Sequence, residues 1–439
     1  MLNNLEYQKK FISVEEAVAM IKSGDHIVSG LGAAEPQAIL SELHKSADRL
    51  KDVSVITCLP MGNYDFFNNP LYKDAFLMEG WFYSGVMRKL HENKNITFIP
   101  NHLHFASTKR IAFKKPNIFM GNCSPVDQHG YVSLGLSNVY EKDMIENADL
   151  VILEVNPNVP RTHGDTALHY TKVNYFIDTH YALPELPIAE PNEKDKLIGQ
   201  HIADLIEDGS TIQLGIGGIP NAVAQALKTK KHLGIHTEMF TDGMVDLVAC
   251  GAIDNSKKSI HRDKMVAAFA LGTQKLYDFI NDNPGVEINR GTYVNDPYVI
   301  GKNHKMISIN TSIEIDLTGQ CCSESIGTRQ ISGTGGQADT AIGAQNAPEG
   351  KSFIALYSTA KVKNPETGEF VEKSKIVPML TPGAIVTLSR NDVDYVVTEY
   401  GAVRLKGTSV RERVKRLISI AHPKFREELT AEAERLMLW

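Results

Sequence analysis

Cysteine is scarce in this chain. Five in 439 residues (Cys58, Cys123, Cys250, Cys321, Cys322) show no C-x-x-C spacing, which excludes a disulfide scaffold and fits a reducing compartment. The adjacent Cys321 and Cys322 read as buried small side chains rather than a redox pair. No apolar run approaches the roughly 20 residues that a membrane helix needs, and the opening MLNNLEYQKKF lacks the apolar core of a signal peptide, so a soluble cytoplasmic protein is expected. No run of Lys or Arg accompanies the net charge of −6, which leaves no electrostatic footprint for nucleic acid or an anionic membrane. Local basic sites for a phosphorylated ligand remain compatible with that balance. No Ser-His-Asp or Cys-His constellation stands out. His163 and His169 flank Asp165 in RTHGDTALH, but a spacing of six does not share a helix face and no Cys or His cluster supports it, so these are read as structural and no metal is expected. What remains is 42% hydrophobic and 22% charged, an ordinary globular composition with room for more than one core.

What is present is a duplication. Ile21 to Leu43 (IKSGDHIVSGLGAAEPQAILSEL) lies over Ile206 to Leu227 (IEDGSTIQLGIGGIPNAVAQAL), with Gly30 over Gly215 and Gly32 over Gly217. Further on, KDVSVITCLPMG from Lys51 lies over KHLGIHTEMFTDG from Lys231, so that Val55 meets Ile235, Thr57 meets Thr237 and Cys58 meets Glu238. Two halves that share a strand, a Gly-rich turn, a helix and a second strand, but differ by a carboxylate at that strand's end, make Glu238 the first candidate for a reactive group. Its neighbour His236 shares a strand face with it and could in principle activate water.

Short β-rich runs alternate with helical patterns: DHIVSGLG from Asp25, DVSVITCL from Asp52, ITFIP from Ile96, IFMGNC from Ile118 and ADLVILEVN from Ala148. That alternation predicts α/β architecture with parallel sheets. Ser13 and Glu16 form a capping box before Ala17, and a corresponding helix starts after Pro191 and Asn192 with Ile198, Ile202 and Leu205 on one face. Pro184, Pro187 and Pro191 mark a linker near 184–192, dividing the chain into domains 1–188 and 189–439. The stretch Ser409–Leu438 predicts a charged amphipathic surface helix broken at Pro423.

Each Gly-rich turn follows a strand and opens a helix, which points backbone N–H groups and the helix dipole at whatever binds there, an anion or an oxyanion. Neither copy completes a dinucleotide fingerprint, because Glu35 and Pro220 stand where the third Gly belongs, and no Walker lysine is present. By itself the Gly pattern serves equally as a tight packing turn. ISGTGGQAD from Ile331 is a third cluster, with Gly333, Gly335 and Gly336, and reads as a loop that closely approaches a ligand. Lys361 follows an apolar strand, where its ammonium suits a phosphate or carboxylate, although alone it is an ordinary surface lysine.

With HTEMFTDG around Glu238, GIGGIPNAV before it and SGTGGQAD after it, the sequence resembles the acetyl-CoA hydrolase/transferase family of class I CoA-transferases. SPVDQHGYVSLG from Ser124, EVNPNVP from Glu154 and VVTEYGAVRLKG from Val396 extend the resemblance over nearly the whole chain. It implies two tandem open α/β sheet domains of the ribose-phosphate isomerase-like type, with the active site in the cleft between the halves. It also implies Glu238 as nucleophile and coenzyme A bound by Gly215, Ile216, Gly217, Gly218 and Ile219, with further contacts at Asn310, Gly336 and Lys361. The resemblance implies no permanently bound cofactor, acyl-CoA as a substrate, a short-chain carboxylate such as acetate as its partner, and a homodimer. Glutamate, with an unperturbed pKa near 4.3, is ionised at neutral pH and can attack a thioester without a general base. Negative charge developing on two carbonyl oxygens needs two sets of donors, for which the N–H groups around Gly217 and Gly336 are the candidates. A hydrolase using the same glutamate and a non-catalytic sensor on the same fold are the alternatives.

Overall fold

The computed structural model describes residues 5–363 and 367–438, so the first four residues of the opening segment lie outside it. Seven parallel strands form the first sheet: β1 (His26–Ser29), β2 (Val53–Cys58), β3 (Phe76–Phe82), β4 (Ile96–Phe98), β5 (Ile118–Cys123), β6 (Leu150–Val155) and β7 (Tyr175–Asp178), in the order β7-β6-β5-β1-β2-β3-β4. Their sequences are apolar on both faces because helices cover both sides. Ile27, Val55, Met78, Met120 and Ile152 meet Ile39, Leu40 and Leu43 in one core. The helix Val14–Ala19 starts at the predicted box, with Ser13 Oγ accepting from Glu16 N–H and the Glu16 carboxylate accepting from Ser13 N–H.

The second half contributes β8 (Thr211–Gln213), β9 (Gly234–Phe240), β10 (Met265–Ala270), β11 (Val286–Ile288), β12 (Met306–Thr311), β13 (Lys351–Ala355), β14 (Thr359–Lys363), β15 (Tyr395–Thr398) and β16 (Gly401–Arg404). The order β16-β15-β13-β12-β8-β9 repeats the first sheet's arrangement around its central strand. The register repeats too. Ile27 lies opposite Val55 in the first sheet, and their sequence counterparts Ile212 and Ile235 lie opposite each other in the second. The predicted helix after Pro191 is Glu193–Ala203, capped by Asn192 and Asp195. The C-terminal pattern forms helices Val410–Ile420 and Arg426–Arg435, separated at Pro423, which bury Val414, Leu417, Leu429 and Ala433 against Ile315, Val396 and Leu405. Among the described residues no helix is long and apolar enough to cross a membrane.

Packing divides the chain less simply than a single cut at 188/189. One compact unit takes the residues up to Pro187 together with Glu238–Asp242 and Lys264–Asn295; the other takes Ile188–Thr237, Gly243–Asp263 and the residues from Asp296 onward. Backbone bonds explain why the later segments join the first unit: Asn138 N–H donates to Ala268, Ala270 N–H to Leu136 and Leu186 N–H to Gly272. Glu238 therefore packs with the N-terminal unit although it follows the linker in sequence.

Candidate active site

In the second unit the Gly-rich turn leaves β8 and enters the helix Gly218–Ala226 through Gly217, whose φ of 109° is a conformation that side chains rarely adopt. No side chain caps this helix. Gly218 is required for a different reason, since a Cβ there would fall 2.4 Å from Asp195 Oδ2. Asp195 is fixed in turn by Asn192 N–H at 2.9 Å and the Tyr357 hydroxyl at 2.6 Å. Gly336 plays the corresponding part for the helix Gln337–Asn346, again without a side-chain cap, and the left-handed residue here is its neighbour Gly335 at φ 52°.

Asn310 is tied into this arrangement. Its amide donates to Ser308 Oγ (2.9 Å) and Thr340 Oγ1 (3.1 Å), Ser308 Oγ donates to Thr340 Oγ1 (2.9 Å), and Gln213 Oε1 accepts from Ile309 N–H (3.0 Å). Because β8, β12 and β13 are adjacent and parallel, their carboxyl ends bring together the turn after Gln213, Asn310, and the start of the helix that Gly336 opens. Lys361 lies on β14, exposed, opposite Glu372 of the hairpin strand Phe370–Ser374.

The first unit treats its copy of the turn differently. Glu141, fully buried, accepts from Leu31 N–H (2.9 Å) and Tyr140 N–H (3.0 Å). The buried Glu35 accepts from Met61 N–H (3.1 Å) and Gly62 N–H (2.8 Å). In the first copy a protein carboxylate, that of Glu141, thus takes up the Leu31 N–H of the Gly-rich turn, while Glu35 takes up those of the loop after β2. Burial pushes Glu35 up to about 7 despite these bonds, and pushes Glu154, which accepts from Ile39 N–H and the Tyr181 hydroxyl, up to about 7 as well.

Glu238 lies on β9 and is half-buried. Asn295, 1% exposed, donates its side-chain amide to Glu238 Oε2 at 2.8 Å, while its own Oδ1 has no hydrogen-bond partner. Since a carboxylate only accepts, this contact fixes which end of the amide faces it. Cys58, the residue that duplication sets against Glu238, lies within electrostatic reach of it. Burial raises the Cys58 thiol well above its usual range, and the charges of Glu238 and Glu141 raise it further.

His236 is buried at 1% exposure. No metal-holding group of His, Cys, Asp or Glu occurs among the described residues. Instead His163 pairs with Asp282 (3.1 Å), His169 with Thr171 (2.8 Å), and Asp165 receives Lys142 and Arg290. Cys321 and Cys322 are buried and not disulfide-bonded. Asn295 and Glu141 escaped the sequence reading: neither sits in a recognisable motif, and only the folded chain brings them to these positions.

Residues 1–187 match the family model of the acetyl-CoA hydrolase/transferase N-terminal domain, and residues 272–433 that of its C-terminal domain. The chain is 44% identical to succinyl-CoA:cyclohexane-1-carboxylate CoA transferase of Geobacter metallireducens, over 98% of this chain and 96% of the other. It is 42% identical to 4-hydroxybutyrate coenzyme A transferase of Clostridium kluyveri, over 98% of both, and 36% identical to butyryl-CoA:acetate CoA-transferase of Anaerostipes caccae, over 99% and 98%. Among solved structures, RipA from Yersinia pestis is similar with a TM-score of 0.90 and 36% identity over 99% of each chain.

Proposed function

The chain belongs to the acetyl-CoA hydrolase/transferase family, and we propose that it transfers coenzyme A from butyryl-CoA or 4-hydroxybutyryl-CoA to a carboxylate such as acetate through a thioester on Glu238. It is an enzyme of the CoA-transferase type. The observation that carries the mechanistic reading is the Glu238 carboxylate held by the buried amide of Asn295, at a position where the duplicate has a cysteine. A sheet that needed only packing would have no use for a half-buried carboxylate so held.

In this mechanism a Glu238 oxygen attacks the acyl-CoA carbonyl, the C–S bond breaks, and CoA thiolate leaves behind an acyl-glutamyl anhydride. The thiolate then attacks the glutamyl carbonyl, forming the enzyme–CoA thioester and releasing the donor's carboxylate. Acetate reverses the two steps. The thioester's free energy passes from bond to bond, so no ATP is consumed. The N–H groups at the uncapped starts of Gly218–Ala226 and Gln337–Asn346 are suited to hold the two transient oxyanions, and Gly215–Ile219, Asn310, Gly336 and Lys361 to hold coenzyme A. Coenzyme A acts as substrate and not as a resident group. We further take the enzyme to work as a cytoplasmic homodimer, which sedimentation of the purified protein tests in its oligomeric part.

Varying donor and acetate together should give parallel double-reciprocal lines, the mark of a ping-pong transferase. Release of CoA at an undiminished rate without any carboxylate acceptor would instead establish an acyl-CoA hydrolase.

A further inference from the structure

We propose that Arg290 is a positioning residue for the nucleophile: it clamps the start of the one-turn helix Gly291–Val294, and Asn295 at the far end of that turn holds the Glu238 carboxylate. This rests on the reading of Glu238 as nucleophile. Arg290 Nε donates to Asp165 Oδ2 (2.7 Å), Nη1 to Asp143 Oδ1 (2.5 Å) and Nη2 to Glu146 Oε1 (2.6 Å). Asp143 and Glu146 stand on the helix Glu141–Asn147, whereas Asp165 comes from RTHGDTALH, the segment whose histidines the sequence marks as structural. A planar fork therefore joins two elements through three nitrogens at once, which the point charge of a lysine matches only in part. Lys142 also binds Asp165, and the Ser107 hydroxyl binds Asp143 at 2.6 Å, so the acceptors are themselves oriented.

The linkage from Arg290 to Glu238 is short and stiff. Gly291 N–H donates to Asn138 and Val139 carbonyls, and a Cβ on Gly291 would fall 2.7 Å from the Val139 carbonyl oxygen, so the turn lies against that backbone. Val294 N–H donates to the Arg290 carbonyl and Asn295 N–H to that of Gly291. The backbone of Asn295 is thus tied to the turn that Arg290 begins. These ion pairs form a network on a guanidinium that is about one-quarter exposed, so they contribute to stability. They also fix direction, and direction is what a nucleophile needs.

The test measures formation of the enzyme–CoA adduct in a single turnover, KM for butyryl-CoA and thermal unfolding, in wild type, Arg290→Met, Arg290→Lys, Asp165→Asn, Asn295→Ala, and the last combined with Arg290→Met and with Asp165→Asn. Arg290→Met should slow adduct formation about tenfold or more with KM unchanged, Arg290→Lys should restore part of that, and Asp165→Asn should show a smaller loss. In the Asn295→Ala background either change should cost less than about threefold, because two steps of one linkage are not independent. If Arg290→Met fails to fold, the Asp165→Asn pair decides by the same non-additivity. A wild-type rate in Arg290→Met, losses that multiply with Asn295→Ala, or a rise in KM that accounts for the loss would overturn the proposal. Wild-type protein that carries no adduct on Glu238 would defeat the functional reading itself, a result distinct from these.

Discussion

Replacing Asn295 by alanine removes one hydrogen bond from the nucleophile and leaves its neighbours in place. The bond is 2.8 Å long, its donor is 1% exposed and its acceptor is a carboxylate, a class worth about 1.5–3 kcal/mol. Two opposite effects compete. If Asn295 only stabilised the resting carboxylate, its loss would make Glu238 a better nucleophile and the reaction would quicken. If it aims the attacking oxygen, the loss removes one of the restraints on the carboxylate's direction, and the rate falls by about ten- to a hundredfold at 1.36 kcal/mol per decade. Orientation should win, because Asn295 is locked into its helix turn and because only a positioned carboxylate reaches the thioester carbonyl. The assay is rapid quench with butyryl-CoA, following the Glu238 adduct by mass spectrometry, alongside steady-state kcat and KM. We expect kcat to fall with little change in KM for the donor. An unchanged or faster rate of adduct formation in Asn295→Ala would refute this reasoning.

Gly217→Val should lower turnover and raise KM for acyl-CoA, since the position demands φ 109° while its Cβ would meet no protein atom within 4 Å; wild-type kinetics would make it a mere packing turn. Gly336→Val, at φ −97°, escapes that strain, so a turnover loss with unchanged unfolding temperature is the expected sign of backbone approach to the ligand, and unaltered turnover would contradict it. The buried Glu35 and Glu154 carry folded pKa values of about 7 against 4.5 unfolded. The folded state thus keeps protons that the unfolded chain has already lost, and stability should fall as pH rises from about 4.5 to about 7 and level off above. Glu35→Gln should flatten that slope in thermal melts, and an equally steep profile in the variant would show the slope to come from other groups.

Much of the scaffold was legible because its signals are local. The box at Ser13 and the helix start after Asn192 fall where expected, and the aligned segments form equivalent strands, whose pairing register the two sheets repeat. Strand β3 went unread: FLMEGWF places Glu79 and Gly80 within an apolar run, and its pairing with β2 slips between Thr57 and Cys58, so no clean period survives. The site divides the same way. Glu238 was visible as a difference between copies at one position. Asn295 lies 57 residues along the chain from it, at the end of a turn too short to leave a periodic pattern, and Glu141 lies 110 residues from the Leu31 N–H that it fills. Those contacts arise only from the long-range packing that returns Lys264–Asn295 to the N-terminal unit.

The central claim is a covalent glutamyl–CoA intermediate on Glu238. Incubating the enzyme with butyryl-CoA in the absence of acceptor, digesting it and sequencing the peptides by mass spectrometry tests that directly. The account predicts CoA in thioester linkage to Glu238, converted to the corresponding alcohol by borohydride, discharged as acetyl-CoA when acetate is added, and absent from Glu238→Ala. An adduct on any other residue, or full transferase activity in Glu238→Ala, would contradict it.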